Sequence, residues 1–364
     1  MMRVSYVMAP FAASLAWTIG PAAAAESAWE DVVKAALAEG EVDVHGGPGK
    51  LYEEALTQGF RAAYPAIKIN FSGSSGRDAI PQIMREREAG VYHWDVYVGG
   101  TPSILQTLMP AGAFVPLRPA LILPEVVDDK AWYGGLDGAW MDKARTYVLA
   151  LESSVTPGML VNWDFVSHDD LKTYQDLLKP QFADKIVWDD PRLPGQGVAS
   201  GQRFLVNFGA DFLKHLYSDQ KIVYTSNTRQ NAEWVVRGQY PIGIATAVEQ
   251  VTPFQQQGIG KNIAALDAPL AHPSVSTGFG TVSMMDHAPH PNAAKVYINW
   301  LMGKPAQTDW GKTGHNSRRL DVPHAAPDEF PVPGISYTWD QSEENIPTRE
   351  EAAALAREFI PSQR

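Results

Sequence analysis

The residues with the most evident chemistry are Ser74, Ser75, Gly76 and Arg77, which follow the short run Ile69-Asn70-Phe71-Ser72-Gly73. Two hydroxyls, a glycine that admits a ligand to the backbone, and a guanidinium able to grip carboxylate or phosphate through two parallel hydrogen bonds make an anion clamp. A helix opening at Asp78 would aim the positive end of its dipole at the same point. The same four residues also suit an ordinary turn whose arginine pairs with a surface acid.

Other loops offer complementary groups. Gly46, Gly47, Gly49 and Lys50 form a glycine-rich turn without the spacing or the Ser/Thr of a nucleotide P-loop, so Gly47 and Lys50 read as a wall for close approach. Gly100 and Thr101 make a third wall, with helix capping as an equal use for the threonine. Gly195, Gln196 and Gly197 precede a helix start and would donate N–H groups to the same ligand, or form a plain surface loop. The carboxylate of Glu249, three residues after Thr246, suits an ammonium or hydroxyl group of a solute, and a solvated helix face suits it equally. Ser153 and Thr277 lie in extended segments where ligand contact and relief of strain are both open.

Catalytic sets are missing. No nucleophile elbow, carboxylate pair at recognisable spacing or dinucleotide fingerprint occurs, and serine-rich turns without a nearby general base do not make a hydrolase. The chain has no cysteine, which excludes disulfides, thiolate zinc sites and iron–sulfur clusters. His287 and His290 fall in a proline-broken loop, and no carboxylate is seen to complete a ligand set, so neither a metal nor a cofactor is expected. A secreted transferase or hydrolase is the reading from a different class; it needs an acid/base set that these residues do not supply.

The elements that must position these loops repeat. Glu41–Gly46, Ile67–Gly73 and Trp94–Val98 alternate like strands, and each runs through one of the glycine-rich turns into a helix: Leu51–Tyr64, Asp78–Ala89 and Ser103–Met109. Such units predict parallel strands whose carboxyl-end loops line one edge, where ligands bind. After an irregular stretch at Val115–Asp142 and extended passes at Thr146–Leu151 and Val155–Asn162, a second set follows. Its strands are Lys185–Trp188, Ile222–Thr225 and Ile242–Thr246, and its helices Val198–Phe208, Arg229–Arg237 and Ala247–Gln257. A return pass leads to Thr281–Met285 and a helix opened by Pro291. A capping box at Thr348 and Glu351 predicts a last helix.

A chain of 364 residues has the length of two domains. Its net charge of −11 and lack of any Lys/Arg-rich run argue against nucleic acid as a partner. Met1–Ala25 has the layout of a secretory signal: Arg3, an apolar run, then Ala23 and Ala25 before an expected cut after Ala25.

Together, Ser74-Gly76-Arg77 after the second strand, Trp94-Asp95-Val96-Tyr97-Val98, and above all His290-Pro291-Asn292-Ala293-Ala294-Lys295 with Ile298-Asn299-Trp300-Leu301 resemble the extracellular solute-binding proteins of ATP-binding-cassette importers. Within these, the chain is similar to the branch of ferric-ion, thiamine and phosphonate or sugar-phosphate receptors. The resemblance implies an α/β, two-lobed periplasmic-binding-protein fold of type II, with a ligand cleft between lobes joined by two crossing segments. Lobe 1 is expected from 26–150 and 268–325, lobe 2 from 151–267, and a C-terminal extension with a final helix from 326–364. It further implies a periplasmic monomer that hands a small solute to a membrane permease. Ferric-binding members carry a tyrosine pair just after the third strand of the second lobe, whereas this chain has Ala245-Thr246-Ala247-Val248-Glu249. The expected solute is therefore an organic anion or zwitterion, a carboxylate, phosphonate or sugar phosphate, with ferric ion plus a synergistic anion as the alternative.

Overall fold

The computed structural model describes residues 21–155 and 158–361. Residues 1–20 of the expected signal lie outside them, and of 21–25 only the helical backbone is placed. Helix α1 (Pro21–Glu39) stops at Gly40, whose φ of 79° is the left-handed conformation that ends helices. Strand and helix then alternate: β1 (Glu41–Gly46), α2 (Lys50–Ala63), β2 (Lys68–Gly73), α3 (Gly76–Glu88), β3 (Val96–Val98) and α4 (Thr101–Ser103), which runs into a π-helical turn at Ile104–Leu108. An irregular stretch containing α5 (Pro124–Val127) leads to β4 (Leu149–Ala150). The second series is β5 (Met159–Asn162), β6 (Ile186–Asp189), α6 (Gln196–Asp219), β7 (Val223–Thr225), α7 (Thr228–Val236), β8 (Ile242–Ile244), α8 (Val248–Gln256) and β9 (Ile263–Ala265). Last come β10 (Ser274–Val275), β11 (Thr281–Met284), α9 (Pro291–Met302), α10 (Lys304–Trp310), β12 (Thr338–Trp339) and α11 (Ile346–Phe359).

Local chemistry explains these elements. In β1, fully buried Val42 and Val44 alternate with half-exposed Glu41 and Asp43, the period of a strand with one covered face. Asn227 caps α7 by accepting from the Gln230 N–H at 3.0 Å. Pro291 opens α9, where its missing N–H costs nothing, and Ala294, Tyr297, Ile298 and Leu301 bury one face.

Two five-stranded sheets result, in the orders β2-β1-β3-β11-β4 and β7-β6-β8-β5-β9. The three strand-loop-helix units give parallel β1, β2 and β3, and the second set gives parallel β6, β7 and β8. β11 runs antiparallel between β3 and β4, and β5 antiparallel between β8 and β9. Each sheet has its own core, around Phe60, Trp132 and Tyr297 in the first and Trp188, Phe204 and Leu213 in the second. Each such side chain contributes about 1.5–3 kcal/mol through burial. The chain leaves the first sheet after β4 and returns to it at β11. The two passes meet side by side, Ser154 pairing antiparallel with Ser276.

Most helix boundaries shift by one or two residues from the sequence reading, and three of the differences have a local cause. α3 begins at Gly76 rather than Asp78, because extended Ser75 takes the N-cap position and Asp78 becomes the first-turn acid that accepts its hydroxyl at 2.6 Å. Gly209, at φ 82° and ψ 172°, does break the helix expected to close there, but a second helical stretch continues to Asp219. The last helix begins at Ile346 with Pro347 in its first turn, ahead of the Thr348 capping box.

Candidate functional site

The carboxyl-end turns of the first sheet pack against one another. The Ser74 N–H donates to the Gly46 carbonyl at 3.1 Å. A side chain at Gly73 would place its Cβ 2.7 Å from the Gly47 carbonyl oxygen, and one at Gly100 would come within 3.2 Å of the Gly278 oxygen. Gly47 lies against the rings of Tyr52 and Phe279. The three turns and the returning pass at 277–279 thus form one surface that only glycines permit. The second lobe meets it directly: Arg77 Nη2 donates to the Pro194 carbonyl at 3.0 Å, in the loop before α6.

Within this frame the expected site residues take several roles. Arg77 is exposed and spans the two lobes. Ser74 is half-buried, its Oγ 3.1 Å from His45 Nε2, and Gly76 sits 3.5 Å, measured from a Cβ built on it, from the Tyr97 hydroxyl. Ser75 points to Asp78. Lys50 is 84% exposed and pairs with Glu54 one helical turn on. Thr101 is fully buried and caps nothing; its hydroxyl donates to the Gln341 carbonyl at 2.9 Å. Thr277, also fully buried, donates to Gln341 Oε1 at 2.5 Å. Ser153 is buried with its Oγ unpartnered among the described residues.

In the second lobe, Gly195 and Gln196 are exposed, whereas Gly197 is buried and its N–H donates to Asp189 Oδ2 at 3.0 Å. A Cβ at Gly197 would fall 2.0 Å from the Asp189 carbonyl oxygen, so this glycine is needed for the strand-to-helix turn itself. Thr246 is buried and donates to Asn231 Oδ1 at 2.6 Å. The side chain of Glu249 lies outside the described residues.

Further polar groups gather at this junction; the sequence places Glu152 with Ser153 in an extended segment open to ligand contact or relief of strain, whereas His45, Asp189 and Arg349 were not visible from local sequence. Glu152, 1% exposed on the outgoing pass, lies 3.3 Å from His315 Nδ1. Burial pushes its carboxyl up, which the histidine's charge only partly offsets. His45 at the end of β1 is 2% exposed, stacks on Tyr97 at 4.7 Å between ring centres, and is pulled down to about 4 by burial, so it stays neutral beside Ser74. Burial likewise raises Asp189, against the pull of the Gly197 N–H. Arg349 on α11 donates to the Gly195 carbonyl at 2.9 Å. Two arginines from different parts of the chain therefore hold adjacent carbonyls of one loop. A polar residue ending a strand at a sheet's carboxyl edge, as His45 and Asp189 do, is the signal that could have marked them.

The histidine reading needs a correction. Carboxylates do converge on His290: Asp43, Asp95 and His290 bring potential ligand atoms within 4.8 Å of one another. The sequence hid this because Asp43 and Asp95 are brought in by the β1–β3 pairing. Asp95, fully buried, already accepts from the Asp43 N–H (2.7 Å), the His290 N–H (2.7 Å) and His290 Nδ1 (2.9 Å). The cluster thus anchors the start of α9 to the sheet. Burial works to lower the His290 pKa, but the bond to Asp95 and the charges of Asp95, Asp43 and Glu41 prevail and raise it. Stability from this pair is complete below the ordinary histidine value of about 6.5 and is lost as pH rises through the higher folded value. Thermal melts should therefore decline as pH rises above the ordinary histidine value of about 6.5, and His290→Gln should flatten that decline. An unchanged slope in the variant would remove His290 as its source.

Comparison with known proteins agrees with this architecture. No curated protein sequence matches the chain. Among solved structures, the periplasmic binding protein AfuA of Actinobacillus pleuropneumoniae, with fructose-6-phosphate bound, superposes with a TM-score of 0.60 at 19% identity, over 88% of this chain and 97% of that one. The apo ferric ion-binding protein A of Pasteurella haemolytica gives 0.67 at 17% identity, over 89% and 100%. The Trichodesmium protein IdiA (FutA), in complex with iron and citrate, gives 0.66 at 15%, over 88% and 99%. These likenesses establish the two-lobed periplasmic-binding-protein fold. The family profile of bacterial extracellular solute-binding proteins matches residues 55–323, which take in the whole second five-stranded sheet and every strand of the first but β1, and the chain belongs to that family.

Proposed function

We propose that the protein is the periplasmic receptor of an ATP-binding-cassette importer, exported by cleavage after Ala25, and that it takes a small anionic or zwitterionic organic solute between its lobes for delivery to a membrane permease. The observation that carries this reading is the Arg77 guanidinium, projecting from the donor-rich Ser74–Arg77 turn and bonded across the cleft to the Pro194 carbonyl. That carbonyl oxygen stands in for an oxygen of a carboxylate or phosphate, which would make the stronger, charge-assisted bond. Ser74 and the exposed Gly195–Gln196 backbone are the neighbouring donors on either side.

Iron fits less well. The segment Ala245–Glu249 holds no tyrosine to supply hard phenolate oxygens. A thermal-shift screen of sugar phosphates, phosphonates and dicarboxylates separates the readings. A ligand at a hundredfold excess over its Kd stabilises by about 2.7 kcal/mol and raises the melting temperature by several degrees. A shift with ferric citrate alone, accompanied by visible colour, would overturn the organic-anion reading.

A further inference from the structure

A cavity of about 760 Å³ opens beside β9, the free edge strand of the second sheet. β8 and β5 lie between β9 and β6, which carries the Pro194 loop, and none of the lining residues belongs to the cleft surface described above. One wall grows out of the turn after β5. Buried Asn162 fixes that turn: its Nδ2 donates to the carbonyls of Val235 (2.9 Å) and Val236 (3.2 Å), and its Oδ1 accepts the Asp164 N–H at 3.2 Å. The Trp163 N–H donates to the Asn262 carbonyl at 3.2 Å, and Asn262 Nδ2 donates back to Asp164 Oδ1 at 2.5 Å, so the backbone beneath the indole is held from both strands. A turn at Ser167, whose Oγ accepts the Asp169 N–H at 3.1 Å, then lays the His168 ring on the indole, with 3.8 Å between centres and 13° between planes. Buried Leu171 and Leu266 supply an apolar floor, and Ala264 of β9 offers only a methyl where a longer side chain would fill the space.

The charged groups of the lining are mostly cationic. Lys172 and Lys261 stand against a single carboxylate, Asp267, among the described residues. Lys172 is shared with Asp169 at 3.1 Å, whereas Lys261 Nζ and Trp163 Nε1 have no hydrogen-bond or ion partner among the described residues. An inorganic anion would leave the leucines and most of the volume unused, and a neutral ring would leave the ammonium without a partner. A planar ring also suits this wall better than a flexible chain, because it stacks beside the two parallel rings and gives up little freedom on binding. We propose that this cavity is a second binding site, built for an aromatic carboxylate whose ring lies on the surface of Trp163, His168, Leu171 and Leu266 and whose acid group is taken by Lys261 and the Trp163 indole N–H. Its residues all come from the second lobe, so it fills and empties independently of the cleft.

Cinnamate is the probe. In the full chain carrying fluorotryptophan, fluorine NMR resolves the indoles, and the Trp163 signal is the one missing from Trp163→Phe. Titration with cinnamate should move that signal to saturation. Lys261→Ala should weaken the binding roughly tenfold, the loss of one charge-assisted hydrogen bond, and cinnamyl alcohol, which keeps the ring without the charge, should lose about as much. Ala264→Leu, which fills the cavity from an exposed position and so spares the core, should abolish the shift. The proposal falls if millimolar cinnamate leaves the Trp163 signal in place, or if the signal moves equally in Ala264→Leu. It falls as well if Lys261→Ala binds cinnamate, or the parent binds the alcohol, as tightly as the parent binds cinnamate. The Trp163 signal reports this cavity, so its failure leaves the reading of the cleft standing.

Discussion

Arg318→Ala should lower the free energy of unfolding by about 3–5 kcal/mol, the range for emptying a large buried site and leaving a buried acceptor unpaired. Arg318 is fully buried, yet among the described residues no carboxylate hydrogen-bonds it. Its Nε donates to the Ala150 carbonyl at 3.0 Å, its Nη1 to those of Tyr133 (3.0 Å) and Gly135 (2.6 Å), and the plane lies over Trp132, 5.0 Å from the ring centre. Alanine would strand the buried Ala150 carbonyl, loosen the half-buried turn at Tyr133 and Gly135, and leave a void against the indole, penalties that add. Urea unfolding monitored by tryptophan fluorescence measures the loss. Arg318→Lys should recover only part of it, since an ammonium cannot reproduce the planar fork. A change below about 1 kcal/mol would show that water takes over the carbonyls.

Arg77→Ala should weaken binding of the organic anion found by thermal shift by roughly tenfold to a hundredfold, the usual worth of a hydrogen bond to a charged group. Stability should hardly change, because Arg77 is exposed and its hydrogen bond runs to the Pro194 carbonyl alone among the described residues. Calorimetric titration of both proteins tests this, with Lys50→Ala as the comparison: that lysine is 84% exposed and bound to Glu54, and its loss should be nearly silent. Equal affinities for the parent and Arg77→Ala would move the anion elsewhere in the cleft.

Much of the frame was legible in the sequence because its signals are local. The alternation around Val42 and Val44, the glycine turns at 46–49 and 99–100, and Pro291 before a run with helical spacing each declare an element within a few residues. The Thr348–Glu351 box misplaced the last helix for the same reason: it is a valid local signal, overridden when Pro347 and Ile346 extend the helix backward. Site residues were harder, since a hydroxyl announces only that it needs a partner. Thr101 read as a cap or a ligand contact; it caps nothing, and the partner of its hydroxyl, Gln341, lies far along the chain in a stretch with no periodicity. His290 and Asp95 likewise meet only once β1 and β3 have paired.

The position of β11 also bears on the order of events during synthesis. Val282 pairs with Val98, and Thr281 with Ala150, so the first sheet is split by a strand made long after its neighbours. The second sheet draws its strands from one continuous stretch, Met159 to Ala265. As the chain emerges, the strands of that second sheet can all pair while β3 and β4 still wait, unjoined, with open edges. The sheet that begins the sequence is the last to be closed.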